Sequence, residues 1–271
     1  MWRMPLNPTN REDAHPLAPS TRAEGTASYS PDGRRIAFPS YRSGHLEIWI
    51  SQADGSHPVQ LTALHARGGS PRWSPDGQKI AFDSNAGGRF GIYVISAQGG
   101  QPVRLTTNAA NDYRPSWSQD GKWIYYSSKR VGAPQIWKIP VTGGTELQVT
   151  KSGGAVPFES ADGKELWYVK ERELWTAPVG GEDERRVSAS LFRASFAPAK
   201  TGVYFLEGPI SSSEVMVRLQ FLNFATQIIK TLAVMPAPAS SEICVSPDEQ
   251  WMVFVKDDRK GSELMLIESF Q

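Results

Sequence analysis

Apolar and polar residues alternate along this chain in short runs, and each run is bounded by Gly, Pro, Asp or Asn. A period of two puts alternate side chains on opposite faces of a β-strand, and the bounding residues supply the turns. No segment of the pattern carries the i, i+3, i+4 apolar stripe of an amphipathic helix. The second copy of the pattern shows the unit most clearly: it predicts strand A at Ser70–Ser74, strand B at Lys79–Ser84, strand C at Phe90–Ser96 and strand D at Pro102–Thr106. Four antiparallel strands form one sheet-like blade.

The unit recurs. SPDGRRIAF starts at Ser30, SPDGQKIAF at Ser74 and SQDGKWIYY at Ser118, a spacing of 44 residues; SADGKELWY follows at Ser160 and SPDEQWMVF at Ser246. APAKTGVYF from Ala197 fits between the last two as a degenerate copy. Four strands repeated every 40 to 45 residues is the unit of a β-propeller, so the fold class is all-β, with six blades in one domain over 1–271. In Ser74-Pro75-Asp76-Gly77 the proline presets φ for a type I turn, and Gly77 takes the left-handed conformation that completes a bulged hairpin. The sixth copy has Glu249 where glycine stands in the first four, so that turn must differ or carry strain. Aromatic residues recur at Tyr29, Trp73 and Trp117 before the turn, at Phe38, Phe82 and Tyr126 in strand B, and at Trp49, Tyr93, Trp137 and Trp175 in strand C. Such a set is expected to pack neighbouring blades together.

A propeller ring must close to hide its edges. The last copy supplies strands A, B and a strand C in Glu263–Phe270, while His15–Ala18 reads as a strand D without a blade of its own, so residues 1–20 are expected to contribute to the last blade. Met1–Leu6 resembles the strand C Ile136–Val141 and competes with Leu264–Ile267 for one position. That competition suggests the C-terminal part of a longer protein.

The SPDG-x-x-IAF turn, a strand ending in Ile-Trp or Ile-Tyr, and the Pro-x-x-Leu-Thr runs Pro58–Thr62 and Pro102–Thr106 resemble the TolB-type propeller repeat. The run Ser30–Thr150 and the ending SELMLIESF are similar to the propellers of CadC-like winged-helix bacterial regulators. The first resemblance implies the fold; the second implies a sensory or interaction role.

Charge narrows the choice of partner. With 29 Lys+Arg against 28 Asp+Glu the formal charge is +1, and the basic residues are scattered, so nucleic acid is not an expected partner. No apolar run approaches the roughly 20 residues of a membrane-spanning helix. The four histidines, His15, His45, His57 and His65, fall on opposite ends of the blades, and one cysteine, Cys244, offers no metal site with another; neither metal nor cofactor is expected. A nucleophilic triad lacks its G-x-S-x-G elbow. Asp257 and Asp258 sit in a polar hairpin and read as a solvated turn.

What remains is the face built from the D-to-A and B-to-C loops, where one loop per blade converges on the propeller axis. Arg72, Asn111, Asp112, Tyr113, Arg114, Arg89 and Lys129 are the candidate ligand residues, since guanidinium and amide groups in a ring suit a carboxylate, a sugar or the acidic segment of a partner protein. The expectation is a non-catalytic module for protein or small-solute recognition. The competing reading is a propeller hydrolase or lyase using axial carboxylates.

Overall fold

Each Ser-x-Asp-Gly segment folds the same way. In the second copy Ser74 Oγ donates to Asp76 Oδ1 at 2.5 Å and accepts from Lys79 N at 2.9 Å, while Gly77, at φ 68°, donates its N–H to Ser74 O at 2.8 Å. Serine and aspartate thereby satisfy the turn's own backbone donors, and the hairpin closes without help from the rest of the fold. The serine hydroxyl is the main reason that Asp32, Asp76, Asp120, Asp162 and Asp248 lie below the ordinary carboxylate range. In the sixth copy the turn survives with Glu249 at φ 55°, a conformation that costs a side-chain-bearing residue about 1 kcal/mol. The Glu249 carboxylate accepts from Thr201 N at 3.0 Å and from Thr201 Oγ1 at 2.5 Å, and these bonds to the preceding blade hold it there.

The computed structural model describes residues 1–6, 14–17, 20, 22–25, 27–180, 183–188, 190–209, 216–239 and 242–255. It begins with β1 (Trp2–Pro5) and β2 (His15–Pro16). Blade one follows as β3 (Ser28–Tyr29), β4 (Arg35–Ser40), β5 (Glu47–Gln52) and β6 (Val59–Gln60). Blade two is β7 (Gly68–Trp73), β8 (Lys79–Ser84), β9 (Gly91–Ser96) and β10 (Val103–Arg104). Blade three is β11 (Asp112–Trp117), β12 (Trp123–Ser128), β13 (Gln135–Pro140) and β14 (Leu147–Gln148). Blade four is β15 (Ala155–Glu159), β16 (Glu165–Lys170), β17 (Glu173–Pro178) and β18 (Arg185–Ser188). Blade five is β19 (Leu191–Pro198), β20 (Gly202–Glu207), β21 (Met216–Asn223) and β22 (Ile229–Pro236). The C-terminal strands β23 (Cys244–Val245) and β24 (Trp251–Phe254) begin blade six. All six sheets are four-stranded, and their paired strands run antiparallel.

Blade six is composite, in the order β2-β1-β24-β23. Strand β1 pairs with β24 from Trp2↔Phe254 to Pro5↔Trp251, and β2 pairs with β1 at Arg3↔His15. The N-terminal segment therefore supplies both the third and the fourth strand. This corrects the expectation that the last copy brings its own strand C: Trp2–Pro5 holds that position, because Met4 and Leu6 fill the apolar gap beside blade five. Leu264–Ile267, Asp257 and Asp258 lie outside the described residues.

Six buried clusters weld the ring, one at each blade interface. The strand B residues Ile80, Ala81 and Phe82 are fully buried, so each central strand packs on both faces. The recurring tryptophans add a polar tie to this packing: Trp73 Nε1 donates to Ser28 O and Trp117 Nε1 to Arg72 O, both at 3.0 Å, and each bond joins a blade to the one before it. Among the described residues no helix is long and apolar enough to cross a membrane.

Candidate ligand site

The innermost strand of blades two to five does not run straight. Four residues before the turn motif, Ser70, Arg114, Val156 and Arg193 all have positive φ, between 46° and 56°, and the pairing with strand B slips there. A bulge of this kind re-aims a side chain, and here it turns four side chains toward the axis. All four line a cavity of about 1050 Å³ on the face formed by the D-to-A and B-to-C loops.

Polar groups of the preceding blade hold two of these bulges. Asp83 Oδ2 accepts the Arg114 N–H at 2.8 Å, and Ser127 Oγ accepts the Val156 N–H at 2.9 Å from the matching position one blade on. Burial pushes the Asp83 carboxyl above its ordinary value, although the bonds from Arg114 N and the Ser70 side chain pull the other way. The cavity's charged lining is Arg67, Arg114, Lys129, Arg172 and Arg193 against Asp83 and Glu171, five cations to two carboxylates. Phe90 and Tyr113, with ring centroids 4.9 Å apart, supply an apolar wall.

Below the cavity an ion cluster crosses the axis. Glu242 stands four residues before Ser246, the position in blade six that matches the bulge residues of blades two to five, and is almost wholly buried. Its two oxygens meet Arg72 Nη2 at 2.5 Å and Arg114 Nη1 at 2.8 Å, which joins blades two, three and six. Burial alone would raise the Glu242 carboxyl, but the two guanidinium groups hold it below the usual range.

The sequence candidates separate on this geometry. Tyr113, Arg114 and Lys129 line the cavity. Arg72 lies deeper, with its guanidinium 5.0 Å from the Phe158 ring, and it lines a smaller cavity of about 270 Å³ with Trp73 and Trp117. Asn111, Asp112 and Arg89 are spent on the scaffold. Asn111 Oδ1 accepts from Phe90 N at 3.0 Å, Asp112 pairs with Arg130 at 3.1 Å, and Arg89 donates to Ala109 O. Asp83, Arg67, Glu171, Arg172, Arg193 and Glu242 were absent from that set; the position four before each turn would have indicated Arg193 and Glu242. The His45 and His65 rings stand 5.3 Å apart, and among the described residues no three His, Cys, Asp or Glu side chains gather as for a metal ion. Cys244 is no ready nucleophile, since burial pushes its thiol up to about 11.

The family model of the TolB β-propeller domain matches residues 12–235. The chain belongs to the TolB β-propeller family. No curated protein sequence matches this propeller. Among solved structures, the putative TolB from Agrobacterium tumefaciens superposes with a TM-score of 0.76 at 19% identity, covering 94% of this chain and 98% of that one. TolB from Acinetobacter baumannii gives 0.69 at 20% identity, covering 86% of this chain and 59% of the other. An oligogalacturonate lyase in complex with manganese gives 0.61 at 12% identity, covering 86% and 70%. At these identities the superpositions show a shared fold, and the chemistry of this TolB-type propeller is read from its own cavity.

Proposed function

We infer that this TolB-type propeller is a non-catalytic binding module whose axial cavity takes an acidic partner, most directly a carboxylate-rich protein segment. The observation that carries this reading is the cavity lining: five cations, one from the loop entering blade two and four from blades three to five, surround a wall of Phe90 and Tyr113. Cations in a concave, partly desolvated site attract carboxylates more strongly than exposed ones do, and Arg offers paired N–H donors that match a carboxylate's two oxygens. Of the carboxylates near the axis, Glu242 is engaged by two arginines and Asp83 by the Arg114 backbone, which leaves Glu171 as the cavity carboxylate for the hydrolase or lyase reading. A sensory role at the end of a winged-helix regulator is the setting that the sequence resemblance suggests for such a module.

The test is calorimetric titration of the purified chain with hexaglutamate and with hexalysine. Hexaglutamate binding that weakens with salt and is lost in Arg114→Gln/Lys129→Gln supports the reading. Absence of hexaglutamate binding, or equal binding of hexalysine, overturns it. Incubation with oligogalacturonate and manganese addresses the enzyme reading, for which the expected result is no cleavage.

A further inference from the structure

Glu242 holds two arginines that differ in their freedom. Arg72 is enclosed: its side chain is 10% exposed, Nη1 donates to Pro71 O at 2.9 Å, and its guanidinium packs by Phe158. Arg114 is 31% exposed at the same cluster and lines the cavity, with Nη1 turned down to Glu242. One carboxylate thus serves two guanidinium groups, one enclosed and one at the cavity lining.

We propose that Glu242 is a resident counter-ion which an incoming ligand carboxylate displaces from Arg114, so that Glu242 sets how acidic a ligand must be to bind. The exchange is between like groups. Arg114 gives up one carboxylate and gains another, while Glu242 keeps its contact with Arg72 and is never left buried without a cation, the arrangement that would cost most. A single carboxylate gains little by such an exchange. A ligand bearing several carboxylates, one on Arg114 and others on Lys129 and Arg172, gains the additional pairs and wins the competition. The ligand class is therefore an extended polycarboxylate, an Asp- or Glu-rich segment, rather than a small monocarboxylate. This inference rests on the binding role argued above.

Removing the competitor should tighten binding. In Glu242→Gln the hexaglutamate dissociation constant is expected to fall on the order of tenfold, the size of a typical coupling between two ligands that share a site, and Arg114→Gln in that background should cancel the gain. Acetate should not compete with hexaglutamate for the unaltered chain at equal carboxylate concentration. Because Glu242→Gln leaves Arg72 without its counter-ion and can impair folding, Arg72→Met/Glu242→Leu provides a second test. It replaces the buried pair with apolar groups of similar size, which is often tolerated, and likewise removes the competitor of Arg114. Tighter hexaglutamate binding by whichever variant folds supports the proposal. Unchanged or weaker binding by a folded variant, with the unaltered chain still binding, overturns the proposal and leaves the binding role standing. Failure of the unaltered chain and both variants to bind removes the binding role and the proposal together.

Discussion

Asp83 and Arg114 meet through the backbone: a carboxylate oxygen of blade two accepts the N–H of the residue that blade three turns into the cavity, at 2.8 Å. Arg114 sits at φ 54°, and the Asp83 bond is part of what keeps it there. At the matching position one blade on, a serine hydroxyl does the same for Val156. A neutral acceptor therefore suffices for the structural task, and the charge on Asp83 is surplus to it.

That surplus has a consequence for stability. Burial raises the Asp83 carboxyl from its ordinary value of 3.8, so the folded chain holds this proton more tightly than the unfolded chain. Its contribution to stability is complete below the ordinary value and declines as pH rises from about 4 toward the raised value. Asp83→Asn keeps an acceptor for Arg114 N and removes the decline. The variant is expected to melt higher than the parent at neutral pH, with the gap closing near pH 4; thermal unfolding across that range measures it, and a constant gap would contradict the assignment.

The blade ties give a second prediction. Trp117→Phe removes the donor to Arg72 O and leaves that buried carbonyl without it, a loss of about 1–3 kcal/mol before any packing defect. Trp73→Phe should behave alike, because Trp73 makes the same bond to Ser28 O. Urea denaturation of both variants tests the equivalence.

Ring closure gives a third. Met4 and Leu6 are buried between blades five and six, so alanine at either should cost about 2–5 kcal/mol. Val59→Ala, at a side chain 65% exposed, should stay within about 0.5 kcal/mol. Equal effects at all three positions would mean that β1 does not complete blade six.

The hairpin motif gives a fourth. Ser74→Ala removes both the acceptor for Lys79 N and the donor to Asp76. A loss of about 1–3 kcal/mol is expected, with part of the Asp76 carboxyl's depression lost as well, since the serine hydroxyl is its main cause. Equilibrium unfolding and NMR titration of Asp76 report the two effects separately.

The fold was legible because its determinants are local and repeated. Ser74, Asp76 and Gly77 close a hairpin among themselves, and Trp73 recurs as Trp117 at the spacing that stacks one blade on the next. The cavity was legible only in part, because its residues converge across the axis. Glu242 reaches an arginine 170 positions away, and no local pattern in the chain records that meeting. Asn111, Asp112 and Arg89 look like ligand groups in sequence, yet each is used by a neighbouring backbone or side chain within the same loop cluster. The bulge four residues before the turn in blades two to five is the feature that separates side chains aimed at the axis from those that build the rim.

The central claim, that the axial cavity is the binding site, is tested most directly by a crystal structure of the chain grown with hexaglutamate. The account predicts peptide density in the cavity between Phe90 and Tyr113 on one side and Arg172 on the other, with a carboxylate within hydrogen-bonding distance of Arg114. Peptide bound on the outer rim or at the Arg72 mouth, with the cavity unoccupied, would contradict it.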